Sequence, residues 1–62
     1  MTELTDIDVD LVAETEKALL VRDADGKEAW LPKSLLGDWT GKVGGPAVVE
    51  MPQWLAEREG FA

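Results

Sequence analysis

The sequence lacks the residues on which most enzyme and metal chemistry depends. It contains no histidine, no cysteine and no tyrosine, and Ser34 is its only serine. Without histidine or cysteine, neither a Ser-His-Asp nor a Cys-His catalytic arrangement can be built, and zinc sites with nitrogen or sulfur ligands are excluded. Paired carboxylates could act as acid and base only in a cleft that raises the pKa of one of them. We therefore expect a protein that is not an enzyme and that binds no cofactor and no metal.

Long hydrophobic segments are missing as well. The chain has no run of about 18 apolar residues, which a membrane-spanning helix would need. Residues 1–8 lack the basic and apolar regions of a signal peptide. These absences predict a cytoplasmic protein that does not contact membranes. The 62 residues, 45% of them hydrophobic, suffice for one small domain over residues 1–62.

Positive charge is scarce and unevenly distributed. Thirteen Asp and Glu stand against six Lys and Arg, for a net charge of −7. Residues 1–16 hold six of the acids and no base, so residues 17–62, with seven acids and six bases, have a net charge of only −1. A negative field of this kind attracts basic surfaces and disfavours direct contact with the phosphates of nucleic acids.

The most regular pattern is the alternation in residues 6–16, DIDVDLVAETE. Hydrophobic residues occupy one parity from Ile7 to Ala13, which predicts a half-buried β-strand. The carboxylates on the other parity are those of Asp6, Asp8, Asp10, Glu14 and Glu16. Like charges in one row lower stability, so this acidic row is a candidate functional surface.

The rest of the chain predicts further short strands and one helix. In order, we expect a strand at 6–15, a strand or a bent continuation of it at 17–22, a hairpin turn at 22–27, a strand at 28–31, one helical or 3₁₀ turn within 33–39, a loop at 40–46, a strand at 47–51 and a helix at 52–59. The predicted fold is α+β, with a small antiparallel sheet of three or four strands and a short C-terminal helix. An SH3-like half-barrel is one arrangement open to it.

The three tryptophans have different expected roles. Trp30 and Trp54 lie within predicted regular structure, and we expect them in the core. Trp39 lies beside Gly37 and Asp38 in a loop-like stretch. We expect it to be exposed and to anchor a partner, since aromatic residues are enriched among interface hot spots.

The acidic row could be a solvated face, or it could imitate the charge of DNA. Carboxylates spaced along a rigid strand, extended by acids of the hairpin, would attract and block a basic nucleic-acid-binding groove. The segregation of charge favours this mimicry. The candidate partner-binding residues are Asp6, Asp8, Asp10, Glu14, Glu16, Asp23, Asp25, Glu28 and Trp39.

Three stretches, VAETEKALLV, EAWLPKSLL and PQWLAEREGF, resemble those of short phage and prophage proteins. The size, the acidity and the lack of catalytic residues are similar to those of small anti-CRISPR inhibitors, of which the type I-C inhibitors are the first comparison. The resemblance implies a stoichiometric protein-binding role, and we expect a monomeric inhibitor in the cytoplasm of the host bacterial cell. Its partner would be a basic nucleic-acid-binding protein such as a subunit of a CRISPR effector complex, with no direct contact to nucleic acid. No residue-level motif carries over from these inhibitors.

Two alternatives stay open. The first is a small SH3-like barrel that binds nucleic acid, or serves as an accessory subunit of a phage replication complex, through a patch of Lys33, Trp39 and Lys42. The second is a metal-dependent enzyme in which the acidic row holds Mg²⁺ or Mn²⁺. Neighbouring side chains on one strand face do not converge on a single ion, which disfavours the second alternative.

Overall fold

A computed structural model describes residues 3–61 and shows five antiparallel strands followed by one short helix. The elements are β1 (Leu4–Glu14), β2 (Ala18–Arg22), β3 (Glu28–Pro32), a 3₁₀ turn (Lys33–Leu35), β4 (Asp38–Gly41), β5 (Gly45–Pro52) and α1 (Gln53–Arg58). The strands form one sheet in the order β3-β2-β1-β5-β4. The predicted α+β class is confirmed, with five strands in place of the predicted three or four.

The turn between β2 and β3 forms as the sequence predicts. Asp23 Oδ1 accepts hydrogen bonds from the backbone N–H groups of Asp25 and Lys27, each at 2.9 Å. Gly26 has φ +86°, a conformation that costs little energy only for glycine. The hydrogen bonds and the glycine of this turn therefore fix the register in which β2 and β3 pair.

The predicted loop at residues 40–46 is wrong. Thr40 and Gly41 belong to β4, and Gly45 and Pro46 begin β5, so that the loop is residues 42–44. The glycines that suggested a loop form a tight β4–β5 hairpin instead. Gly41 has φ +115° and Gly44 has φ +92°. The fifth strand that the prediction omitted is β4.

Strand β1 is interrupted by a β-bulge at Val12. Leu11 pairs with Val21 of β2, but Ala13 pairs with Leu20, so that Val12 is the additional residue on β1. Before the bulge the odd-numbered residues of β1 face the core, whereas beyond it the even-numbered residues do. Glu14 consequently shares the core side of the sheet with its partner Leu19, which is fully buried.

The sheet must curl strongly, because its two edge strands, β3 and β4, are joined by a short connection. Leu31 pairs with Leu19 of β2, which pairs with Glu14 at the end of β1. Asp38 pairs with Glu50 of β5, which pairs with Asp6 near the start of β1. In a flat sheet these positions would be about 33 Å apart, whereas seven residue steps reach only about 25 Å. In this connection, Nζ of Lys33 lies 5.5 Å from the centre of the Trp39 ring in β4. The sheet is therefore strongly twisted and curled, and its edge strands β3 and β4 do not pair with each other.

The core residues fill the concave side of the sheet. Helix α1 covers it through Leu55 and Ala56, and Phe61 packs against it from the C-terminal segment. The buried members of the cluster are Val9, Leu11, Leu19, Val21, Leu31, Ala47, Val49, Met51, Leu55 and Ala56. Helix α1 begins one residue after Pro52, and Gly60 has the expected positive φ of 81° beyond its end. Among the described residues no helix is long and apolar enough to cross a membrane.

All three predictions about tryptophan exposure are wrong. Trp30 is 54% exposed, because its neighbours Ala29 and Leu31 face the core and strand alternation turns Trp30 outward. Trp54 is 45% exposed, since the short helix buries only Leu55 and Ala56. Trp39, expected on the surface, is half-buried in β4 and packs against the core.

Candidate functional site

The convex side of the sheet gathers carboxylates from three adjacent strands. Before the bulge, the even-numbered residues of β1 point to this side, opposite the core. Asp6 pairs with Glu50 of β5, and Glu50 pairs in turn with Asp38 of β4. We call the group of Asp6, Asp8, Asp10, Asp38 and Glu50 the acidic face.

The densest part of the acidic face is the cross-strand row Asp6–Glu50–Asp38. Directly opposite residues of an antiparallel pair have Cβ atoms about 4.5–5.5 Å apart, so three carboxylates stand side by side. Glu50 is half-buried, and its side chain lies over Gly37, where an added Cβ would overlap Glu50 Oε1. The glycine therefore gives the middle carboxylate of the row the space that it occupies.

No carboxylate of the acidic face forms an ion pair with a base within residues 3–61. The ion pairs there are Arg22–Glu28, Lys33–Glu14 and Arg58–Glu59, none of which includes an acidic-face carboxylate. Arg22 is the base that borders the face, since it pairs with Asp10 in the β1–β2 register, but its guanidinium binds Glu28 at 2.7 Å. The acidic face therefore keeps a strong negative field.

The predicted acidic row along β1 is shorter than the sequence suggested. Asp6, Asp8 and Asp10 do lie on one face, as expected. Glu14 does not, because the bulge at Val12 turns it to the core side, where Lys33 Nζ binds its Oε2 at 2.7 Å. Glu16 lies in the bend after β1, outside the strand. The prediction of one five-carboxylate row on this strand is therefore wrong.

The acids of the hairpin contribute less than expected. The Asp23 carboxylate is occupied by the two backbone hydrogen bonds of the turn, and Glu28 forms the ion pair with Arg22. Asp25 is exposed at the tip of the turn. Only Asp23 adjoins the acidic face, since it lines a depression together with Asp8 and Asp10.

The acidic face also has an apolar floor. Val48, 38% exposed, pairs with Asp8 on one side and with Thr40 on the other. Two shallow depressions of about 350 and 190 Å³ meet at Val48 and Thr40, with carboxylates at their rims. Such a surface suits the side chains of Lys and Arg, whose apolar stems pack on aliphatic groups while their charged ends reach carboxylates.

The sequence analysis did not identify Glu50 and Asp38 as candidate binding residues. The alternation of buried Val49 and Met51 around Glu50 was a signal that Glu50 points outward. Asp38 gave no such signal, because β4 was read as a loop. Their position beside Asp6 depends on strand pairing between distant segments, which no local pattern records.

The alternative sites are weaker in this geometry. No group of three or more acidic, histidine or cysteine side chains in the described part of the chain is placed to hold a metal ion. Lys33 and Trp39 do approach each other, at 5.5 Å from Nζ to the ring centre. However, the charge of Lys33 is already paired with Glu14, and Trp39 is half-buried on the core side. Lys42 lies in the β4–β5 loop.

Searches against protein-family models, curated proteins and solved structures find no match for this chain.

Proposed function

We propose that this protein binds a basic, nucleic-acid-binding protein through the acidic face and thereby blocks the binding of nucleic acid. The observation that carries the proposal is the convergence of five carboxylates from three strands on one side of the sheet. Such like-charge neighbours lower stability, and a basic partner would neutralise them.

The charge density of the face supports partial mimicry of a nucleic acid. Asp6, Asp8 and Asp10 extend over about 14 Å along β1, and the row to Asp38 extends across two further strands by about 10 Å. Duplex DNA carries about eight phosphates in 14 Å of its axis. Five carboxylates therefore reproduce a little more than half of that charge, which suffices to steer a basic groove into an encounter.

Inhibition of a CRISPR effector complex during phage infection is the context that we propose for this binding. The resemblance of the sequence to small phage proteins supports it, and the mechanism that we propose is non-enzymatic, with one inhibitor occupying one site. The field of the acidic face makes binding to a basic partner dependent on ionic strength, since salt screens exposed charges over about 8 Å at 0.15 M.

Affinity capture with matched variants tests this function. Tagged protein is incubated with bacterial lysate at low and high salt, and the retained proteins are identified by mass spectrometry. The test variant is Asp8→Asn with Glu50→Gln. The control, Glu16→Gln with Glu57→Gln, removes the same charge from positions outside the acidic face.

We expect the wild type and the control to retain the same nucleic-acid-binding protein at low salt, and the test variant to lose it. DNA added in excess should release the partner from the inhibitor. Retention by all three proteins, or capture of nucleic acid with no protein, would contradict the proposal.

A further inference from the structure

The edge strand β3 has an unused hydrogen-bonding side. Within the described residues 3–61 it pairs with β2 alone. Two backbone hydrogen bonds bracket this hairpin, from Asp23 N–H to Lys27 C=O at 2.9 Å and from Lys33 N–H to Lys17 C=O at 2.8 Å. Both belong to the same register as the strand pairs between them. They therefore fix which residues of β3 bond to β2.

Hydrogen-bonded and non-hydrogen-bonded pairs alternate along an antiparallel ladder. Counting inward from the two bracketing bonds, Ala29 and Leu31 bond to β2. Glu28, Trp30 and Pro32 consequently direct their backbone groups away from β2. The open edge offers the N–H and C=O of Glu28 and of Trp30, and only the C=O of Pro32, since proline has no N–H.

The side chains at this edge are apolar or already neutralised. Trp30 is 54% exposed on the convex side, and its cross-strand partner is Leu20. Beside them, Arg22 and Glu28 form their ion pair at 2.7 Å. The acidic face begins at β1, two strands and about 10 Å away from β3. That separation exceeds the screening length of about 8 Å at physiological salt.

We propose that a second copy of this chain adds to the β3 edge, in antiparallel orientation, with the two-fold axis at Ala29. In this register Glu28 of each copy lies opposite Trp30 of the other. Each of these residues has both a free N–H and a free C=O, so the two copies form four backbone hydrogen bonds. The Trp30 ring of each copy packs against the Arg22–Glu28 ion pair of the other.

Pro32 selects this register over the nearest alternative. If the two-fold axis were at Trp30, Pro32 would lie opposite Glu28 of the second copy. The proline ring would then occupy the place of a donor and push the strands apart. With the axis at Ala29, Pro32 lies beyond the four hydrogen bonds and causes no conflict.

The dimer is weak and dependent on concentration. A five-residue edge strand with one exposed tryptophan buries less surface than the roughly 1,200 Å² at the lower limit of stable interfaces. The chain is monomeric when dilute, as the sequence predicts, and associates at high concentration. Salt should favour the dimer by screening the net charge of −7 on each copy, whereas it should weaken binding to a basic partner.

Analytical ultracentrifugation tests the dimer. In 0.15 M salt we expect the average mass to rise from 6.8 kDa towards twice that value between about 10 µM and about 1 mM protein. Glu28→Pro removes an outward N–H but no bond to β2, and we expect it to weaken association at least tenfold. Glu28→Gln removes the same charge and keeps the N–H, so it should associate within threefold of the wild type.

Two results would overturn the proposal. One is a wild type that stays at 6.8 kDa up to about 1 mM. The other is Glu28→Pro that is folded, by its melting curve, and still dimerises like the wild type. Trp30→Ser provides an independent variant, because it removes the ring, adds no charge and leaves the backbone unchanged, and it should also weaken association at least tenfold.

Discussion

Removing the middle charge of the row Asp6–Glu50–Asp38 should stabilise the isolated protein. Glu50 stands directly between two carboxylates, and no base pairs with it among the described residues. Glu50→Gln keeps the size and shape of the side chain and removes both repulsions. The same substitution should weaken binding to a basic partner, so stability and function change in opposite directions.

The magnitude follows from Coulomb's law. Two unit charges about 6 Å apart repel by about 0.7 kcal/mol in water, and more where a half-buried group lowers the effective dielectric constant. Two such neighbours, partly screened by salt, give Glu50→Gln a stabilisation of about 1 kcal/mol. For a domain of this size that corresponds to a rise in Tm of about 4–8 °C.

Thermal unfolding followed by circular dichroism, at low and at high salt, checks this expectation. The control is Glu16→Gln, which changes the net charge equally but lies in the bend after β1. It should shift Tm by no more than about 2–4 °C, since a surface substitution outside such a row changes stability by about 0.5 kcal/mol or less. The difference between the two variants should shrink as salt rises. A Glu50→Gln protein that melts at or below the Tm of the control would refute the reasoning.

Further substitutions test the fold by urea denaturation. Gly41→Ala should cost more than about 2 kcal/mol, because φ is +115° and the new Cβ would lie 2.6 Å from the Pro46 carbonyl oxygen. Gly26→Ala, with φ +86° and no atom within 4 Å of the new Cβ, should cost only about 1 kcal/mol. Trp30→Ser should change stability by less than about 1 kcal/mol, whereas Leu31→Ala, fully buried, should cost about 2–5 kcal/mol. Equal costs for the two glycines, or a larger cost for Trp30 than for Leu31, would contradict the assignment of turns and faces.

Local patterns predicted those parts of the fold that local physics determines. The alternation from Asp6 to Leu11 identified the strand and its two faces, and Asp23 with Gly26 identified the hairpin turn. Both signals depend on residues close together in the chain. The 3₁₀ turn and the short helix followed from the same kind of evidence.

The candidate site was only partly predictable, because it depends on pairing between distant strands. Val12 is the one residue that interrupts the acidic parity of residues 6–16, but this interruption does not by itself specify a bulge, and the bulge placed Glu14 on the core side of the sheet. Glu50 and Asp38 joined the acidic face through the β1–β5 and β5–β4 registers. The error for Trp30 came from considering its hydrophobicity without its parity, since Trp30 alternates with Ala29 and Leu31 and must face outward when they are buried.

The most direct test of the acidic face is the affinity of the captured partner for three forms of the protein, measured by biolayer interferometry over a range of salt. The forms are the wild type, Asp8→Asn with Glu50→Gln, and the control Glu16→Gln with Glu57→Gln. We predict that the acidic-face variant binds at least tenfold more weakly and with a smaller salt dependence, while the control stays within about twofold of the wild type. Equal losses in both variants would show that net charge alone drives binding, and no loss in either would show that the acidic face is not the binding surface.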